Sequence, residues 1–298
     1  MRFGLLAYTV QGRDVNLDIK RVVGYRQFCN KIWNAFRFAT TYIKEFVPLL
    51  GMNRQILYSI HVSTRDRFIL SRLNAITKEC NAALENYQFA VATSALHSFF
   101  LYDFCDVYVE LIKPIITDTS TQAASERARM TQATLYTILE QYLRLLHPFM
   151  PFLTEELWQR LPSREQLTNV PTIMLSAYPE EMEEWADAEA EKDMALVQDA
   201  IHAARSLRSD YKIANSAKAT FFFRTENQTI KQKILAQADD FCTLCRGNSL
   251  QYLEASADEL PAGYCLKIVS DQLSVLMDRT GLIDVDTELA RLKKDEER

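Results

Sequence analysis

Glycine is scarce in this chain: seven in 298 residues, against an average near 7%. A protein built from tight β-turns needs more, so the composition points to helices. No apolar run approaches the roughly 20 residues that span a bilayer, and no signal-like leader opens the chain. There is no phosphate-cradling glycine loop and no GxSxG. The four histidines (61, 97, 147, 202) are far apart and show no metal-ligand spacing. His147 precedes a proline at a helix end, which suits capping or packing. Six cysteines (29, 80, 105, 242, 245, 265) are spread through patterned segments and read as free thiols. Cys242 and Cys245 form a CxxC, but no second pair completes a zinc site and no thioredoxin-like context surrounds it. These absences leave no self-contained active site, no cofactor and no metal to expect, and a cytoplasmic, non-membrane protein.

The residues present are those of a globular protein, 48% hydrophobic and 24% charged. The net charge of −5 is unevenly placed. Residues 12–40 carry six cations against two anions, and residues 180–199 carry nine acids against one lysine. A basic start and an acidic middle follow, the acidic run reading as a solvated helix face.

Apolar periodicity orders the elements. GRDVNLD (12–18) is a loop in which Asn16 or Asp18 caps a helix running to about Val47, closed by Pro48 and Gly51. Ser63-Thr-Arg-Asp66 resembles a capping box and starts a helix to about Ala95. A third helix covers 97–113, a fourth 123–146, and Thr154 caps a short one before Pro162. Four long helices with short links predict an antiparallel bundle. In HPFMPFLTEELW, Phe149 and Phe152 are expected to plug the bundle end and Trp158 to pack back. Beyond it, 171–179 reads as extended and 185–209 as helix. The strand-like segments 219–224, 249–254 and 263–269, with helices near 227–238 and 239–246, predict a small α/β subdomain. Residues 286–298 begin a charged helix with the pattern of a coiled-coil arm.

The helix containing GYRQFCNKIWNAFRF (24–38) does not sort into two faces. Tyr25, Cys29, Ile32 and Phe36 share one stripe, with Ile43 further on and Trp33 at its edge; that stripe predicts the core. Arg26, Asn30, Asn34 and Arg37 form a second. Phe28, Lys31 and Phe38 lie on a third side. Rings interleaved with cations and amides suit unstacked bases; a helix packed on two sides gives the same pattern.

GRDVNLD with GYRQFCNKIWNAFRF, DRFILSRL (66–73), YQF…DFCDVYVELIKP (87–114), LHPFMPFLTEELWQRLP (146–162) and RSLRSDY (205–211), in this order, resemble the C-terminal part of the valyl-tRNA synthetase family, in its eukaryotic cytosolic form. The HPFMPFLTEELW segment is the less specific part, because isoleucyl and leucyl enzymes carry versions of it. The resemblance implies a mainly α fold: a linker remnant at 1–11, a class I anticodon-binding helical bundle at 12–165, a connecting helix and α/β subdomain at 166–283, and a truncated coiled-coil arm at 284–298. The family's HIGH and KMSKS signatures and its editing domain are missing, so ATP and Mg belong to a catalytic part that this chain lacks. The implied partners are tRNA(Val), and the catalytic half of a synthetase or a multi-synthetase complex; no DNA is expected. Arg13, Arg26, Phe28, Asn30, Lys31 and Asn34 are the expected anticodon-side contacts, Phe28 by stacking. Arg37, Arg205 and Arg208 are second-rank tRNA contacts. The alternative is an inactive paralogue that serves as a protein-interaction or tRNA-binding module.

Overall fold

The computed structural model describes residues 1–8, 18–43, 63–167, 169–254 and 263–282. The expected cap at Asn16, the helix end at Val47–Gly51 and the arm at 286–298 fall outside the described residues. The chain divides into two compact units, Met1–Glu191 and Lys192–Arg298.

The first unit is helical. It holds α1 (Arg2–Leu6), α2 (Ile19–Tyr42), α3 (Thr64–Glu85) and α4 (Phe89–Ser98), which runs on through a π-helical segment (Phe99–Tyr108) into α5 (Val109–Ile112). Next come α6 (Gln122–Leu146), α7 (Pro151–Gln159), α8 (Arg164–Leu167) and two single 3-10 turns, and α9 (Ala188–Asp210) begins at its end. Local chemistry places the starts. The Asp18 carboxylate accepts from the Lys20 amide at 2.8 Å, and Thr121 Oγ accepts from the Ala124 amide at 3.1 Å. Ser63 caps α3, and its hydroxyl donates to Asp66 across the box at 2.5 Å.

The bundle core is aromatic. Phe100, Phe104 and Tyr108 form a file of rings along the π segment, and Phe100 stacks on Tyr142 of α6 at 4.8 Å. Asp66 is buried beneath it and accepts from the Tyr108 hydroxyl at 2.7 Å. Burial raises the Asp66 pKa, against the hydrogen bonds from Ser63 and Tyr108.

Three expectations need correction. The helix from Ser63 does not reach Ala95: it stops at Asn86, whose amide donates back to the Ala82 carbonyl, and Tyr87 turns to φ 56°. The apolar steps at Tyr87 and Val91 ran on across this break, but both side chains are exposed. Thr154 is not a cap. Pro151 sits in the first turn of α7, a place where its missing N–H costs nothing. Thr154 is buried inside that helix, with its hydroxyl on the Met150 carbonyl and on His147 Nδ1. Phe149 and Trp158 fill the bundle end as expected, but Phe152 is 89% exposed. The 171–179 segment contains a 3-10 turn, Ile173–Leu175, rather than a strand.

The second unit is a four-stranded mixed sheet with helices. Its strands are β1 (Ala219–Arg224), β2 (Gly247–Tyr252), β3 (Tyr264–Ser270) and β4 (Leu273–Asp278), in the order β2-β1-β4-β3, with α10 (Gln228–Ala236) and α11 (Ala238–Cys245) between β1 and β2. β1 pairs parallel with β2 and antiparallel with β4. Phe221 and Phe223 are fully buried, Phe221 with its ring edge-on to Phe241 of α11 at 5.5 Å. All six cysteines are free thiols.

Candidate nucleic-acid interface

α2 is buried along Phe28, Ile32, Phe36, Ala39 and Ile43. Tyr25, Cys29 and Trp33 flank this line, half-buried. Phe28 is therefore not the exposed ring expected of it. It is 4% exposed and packs on Phe3 at 5.6 Å, on His97 at 4.5 Å and on Phe100 at 5.9 Å. The reason is geometric: Phe28 stands one turn before Ile32, and α1 and α4 both press on that flank, so the buried sector is wider than a single stripe.

The other side of α2 is open. Arg26, Asn30, Asn34 and Arg37 are all exposed. At 1.5 Å per residue the row from Arg26 to Arg37 spans roughly 16 Å. None of these four side chains has a hydrogen-bond or ion-pair partner among the described residues. The row thus combines two guanidinium forks with two amides, each amide offering a donor and an acceptor. Lys31 is exposed on the neighbouring flank, where its ammonium pairs with Asp106 of the π segment at 3.1 Å. Phe38 is half-buried, with Lys113 over its ring at 5.6 Å. Arg13 lies outside the described residues.

Arg205 and Arg208 are also corrected. Both Nε and Nη2 of Arg205 donate to the Leu244 carbonyl, at 3.0 and 2.9 Å. Arg208 is 7% exposed and donates to the carbonyls of Ala214 at 2.8 Å and Ala217 at 2.9 Å. These guanidinium groups satisfy carbonyls at the C-terminal end of α11 and in the loop after α9. They are not presented to an outside phosphate.

Two residues escaped the sequence reading. Gln27 is exposed on α2 beside Lys31. Tyr102, on the π segment, is 60% exposed and one turn before Asp106, the partner of Lys31. It lies two residues from both Phe100 and Phe104, opposite their buried file. The alternation of buried and exposed rings in FFLYDF was the available signal. Among the described residues, no group of three His, Cys, Asp or Glu side chains is placed to hold a metal ion, and no helix is long and apolar enough to cross a membrane.

Residues 66–222 match the anticodon-binding domain of tRNA ligase. The matched span begins in α3, so the α2 row lies just before it. Over 297 residues, 98% of this chain, the sequence is 40% identical to a valine–tRNA ligase of Takifugu rubripes and covers 24% of that protein. It is 39% identical to the Homo sapiens valine–tRNA ligase, covering 22% of it, and 35% identical to that of Syntrophotalea carbinolica, covering 31%. The chain therefore spans about a quarter of the length of the curated relatives it matches. With more than half of its residues in the matched span, on a helical bundle followed by a small mixed sheet, this chain belongs to the anticodon-binding domain family of tRNA ligases.

Proposed function

We propose that this chain binds tRNA(Val) through the open face of α2 and reads its anticodon, as the recognition part of a valine–tRNA ligase whose ATP and valine site lies in another part of the protein. The observation that carries the proposal is the row Arg26, Asn30, Asn34, Arg37: exposed, and without partners among the described residues. Single-stranded loops are read by side chains that reach the edges and faces of unstacked bases. Asn30 and Asn34 read base edges, and Arg26 and Arg37 neutralise phosphates. Lys31 contributes charge from the adjoining flank, and Tyr102 supplies the ring that Phe28 does not. The 40% identity to a valine–tRNA ligase supports the choice of tRNA.

Filter binding tests this reading. The chain is expected to bind a tRNA(Val) transcript more tightly than the same transcript carrying another anticodon. Equal affinity for the two would sink anticodon reading, and no binding to either would sink the function. The purified chain is expected to catalyse no valine-dependent pyrophosphate exchange.

A further inference from the structure

The one glycine within α2 has no explanation inside the protein. Gly24 sits near the start of a 24-residue helix, where glycine is a poor choice beside almost any other residue. Close packing usually accounts for such a glycine, and Gly4 in α1 shows that case, because a Cβ there would stand 3.2 Å from the Tyr25 ring. At Gly24 an added Cβ meets nothing within 4 Å among the described residues. Space has been left, and no described side chain uses it.

That space is the wall of a cleft. Gly24 opens onto a cavity of about 410 Å³ between α1, α2 and α4, lined also by Tyr25, Ala90, Thr93, Ser94 and His97. Two rings stand in it, Tyr25 and His97, set edge-on at 6.1 Å. Its polar groups are hydroxyls and an imidazole, and no carboxylate lines it. Burial, and secondarily the charge of Lys31, lowers the His97 pKa, which leaves the ring neutral with one donor and one acceptor nitrogen. Along the α2 edge of the cleft, exposed Lys20 stands one turn before Gly24 and exposed Lys31 two turns after it.

We propose that this cleft seats an unpaired nucleoside of the bound RNA, with Gly24 letting the base or ribose approach the α2 backbone. The inference rests on the reading that the chain binds tRNA. Rings, hydroxyls and a backbone cleared of side chains suit a flat polar ligand, and cations on the rim with no acid inside suit its phosphates. An unsubstituted helix backbone is what close approach of a ligand requires.

The test fills the cleft without disturbing the fold. Gly24→Leu puts a side chain into open space and raises helix propensity, so the 298-residue chain is expected to melt at the same temperature or higher. Its Kd for the tRNA(Val) transcript is expected to rise on the order of tenfold, the loss of one seated base. Ser94→Tyr fills the cleft from the α4 side and is expected to do the same. Either variant with wild-type melting and weakened binding supports the proposal. Wild-type affinity in both filled variants overturns it and leaves the cleft to something other than RNA, such as an apolar side chain of a protein. In that outcome anticodon reading stands if Asn30→Ala still weakens binding. Failure of the unmodified chain to bind tRNA overturns both.

Discussion

Replacing Phe28 with alanine separates a core ring from a recognition ring. Phe28 is 4% exposed and touches three other rings, so its loss removes buried apolar area and leaves a cavity that α1 and α4 close only in part. Phe→Ala changes of this kind cost about 3–5 kcal/mol. In a unit of this size that lowers the melting temperature by roughly 6–20 °C. The affinity of the remaining folded molecules for tRNA is expected to hold, because the ring is not at the surface. Tyr102→Ala is the mirror experiment. The ring is 60% exposed and makes no ring contact with another described residue, so melting is expected to shift by no more than about 2 °C, the effect of a surface change within 0.5 kcal/mol. Its tRNA affinity is expected to fall by about 1–3 kcal/mol, the value of one stacked base. Tyr102→Phe, which keeps the ring, is expected to bind as wild type. Differential scanning fluorimetry with filter binding reads all three variants. A Phe28→Ala protein that melts like wild type but binds tRNA tenfold more weakly would refute the reasoning, since only a surface ring behaves so.

Three further outcomes follow from named contacts. Removing Arg26 or Arg37 is expected to weaken tRNA binding with little regard to sequence and to lower the slope of log Kd against log salt by about one per cation; an unchanged slope would take those residues off the phosphates. Arg208→Ala strips the donor from the Ala214 and Ala217 carbonyls, and the second unit is expected to lose about 1.5–3 kcal/mol, the value of hydrogen bonds to a charged group. Urea denaturation followed at that unit checks this, and full stability with weakened tRNA binding would return Arg208 to the interface. Asp66 sets a pH dependence. Its folded pKa is raised by burial, so the native state holds the proton to higher pH than the unfolded chain. The stability this contributes is full below the unfolded value of about 3.9 and is lost as pH rises through the folded value. Asp66→Asn is expected to remove that loss from a stability–pH profile; a profile unchanged by the substitution would mean Asp66 is not the group responsible.

Much of this architecture is written in local sequence. The caps at Asp18 and Ser63, the proline that starts α7 and the run ATFFFR at β1 each act within a few residues of themselves, and each is found where short-range chemistry puts it. β4 is the exception among the strands. The link between β3 and β4 carries neither glycine nor an Asn-Gly pair; Gln272 is instead held by the Ser270 hydroxyl, so the usual hairpin signal is absent.

The sequence by itself determined that α2 is a helix with one polar side, because a period of 3.6 residues places Arg26, Asn30, Asn34 and Arg37 on a common face whatever surrounds them. It could not determine how wide the apolar side is. That width depends on how many neighbours press against the helix, and only the packing of α1 and α4 onto its flank turned Phe28 from an exposed ring into a core residue. Arg205 and Arg208 follow the same rule. Their spacing along α9 was legible, but the carbonyls they satisfy come from residues six to 39 positions away, which only the folded chain brings to them. Gly24 read as a plain helical glycine until the structure placed a cleft beside it. Periodicity describes a side chain's direction from its own axis; tertiary structure decides what stands there.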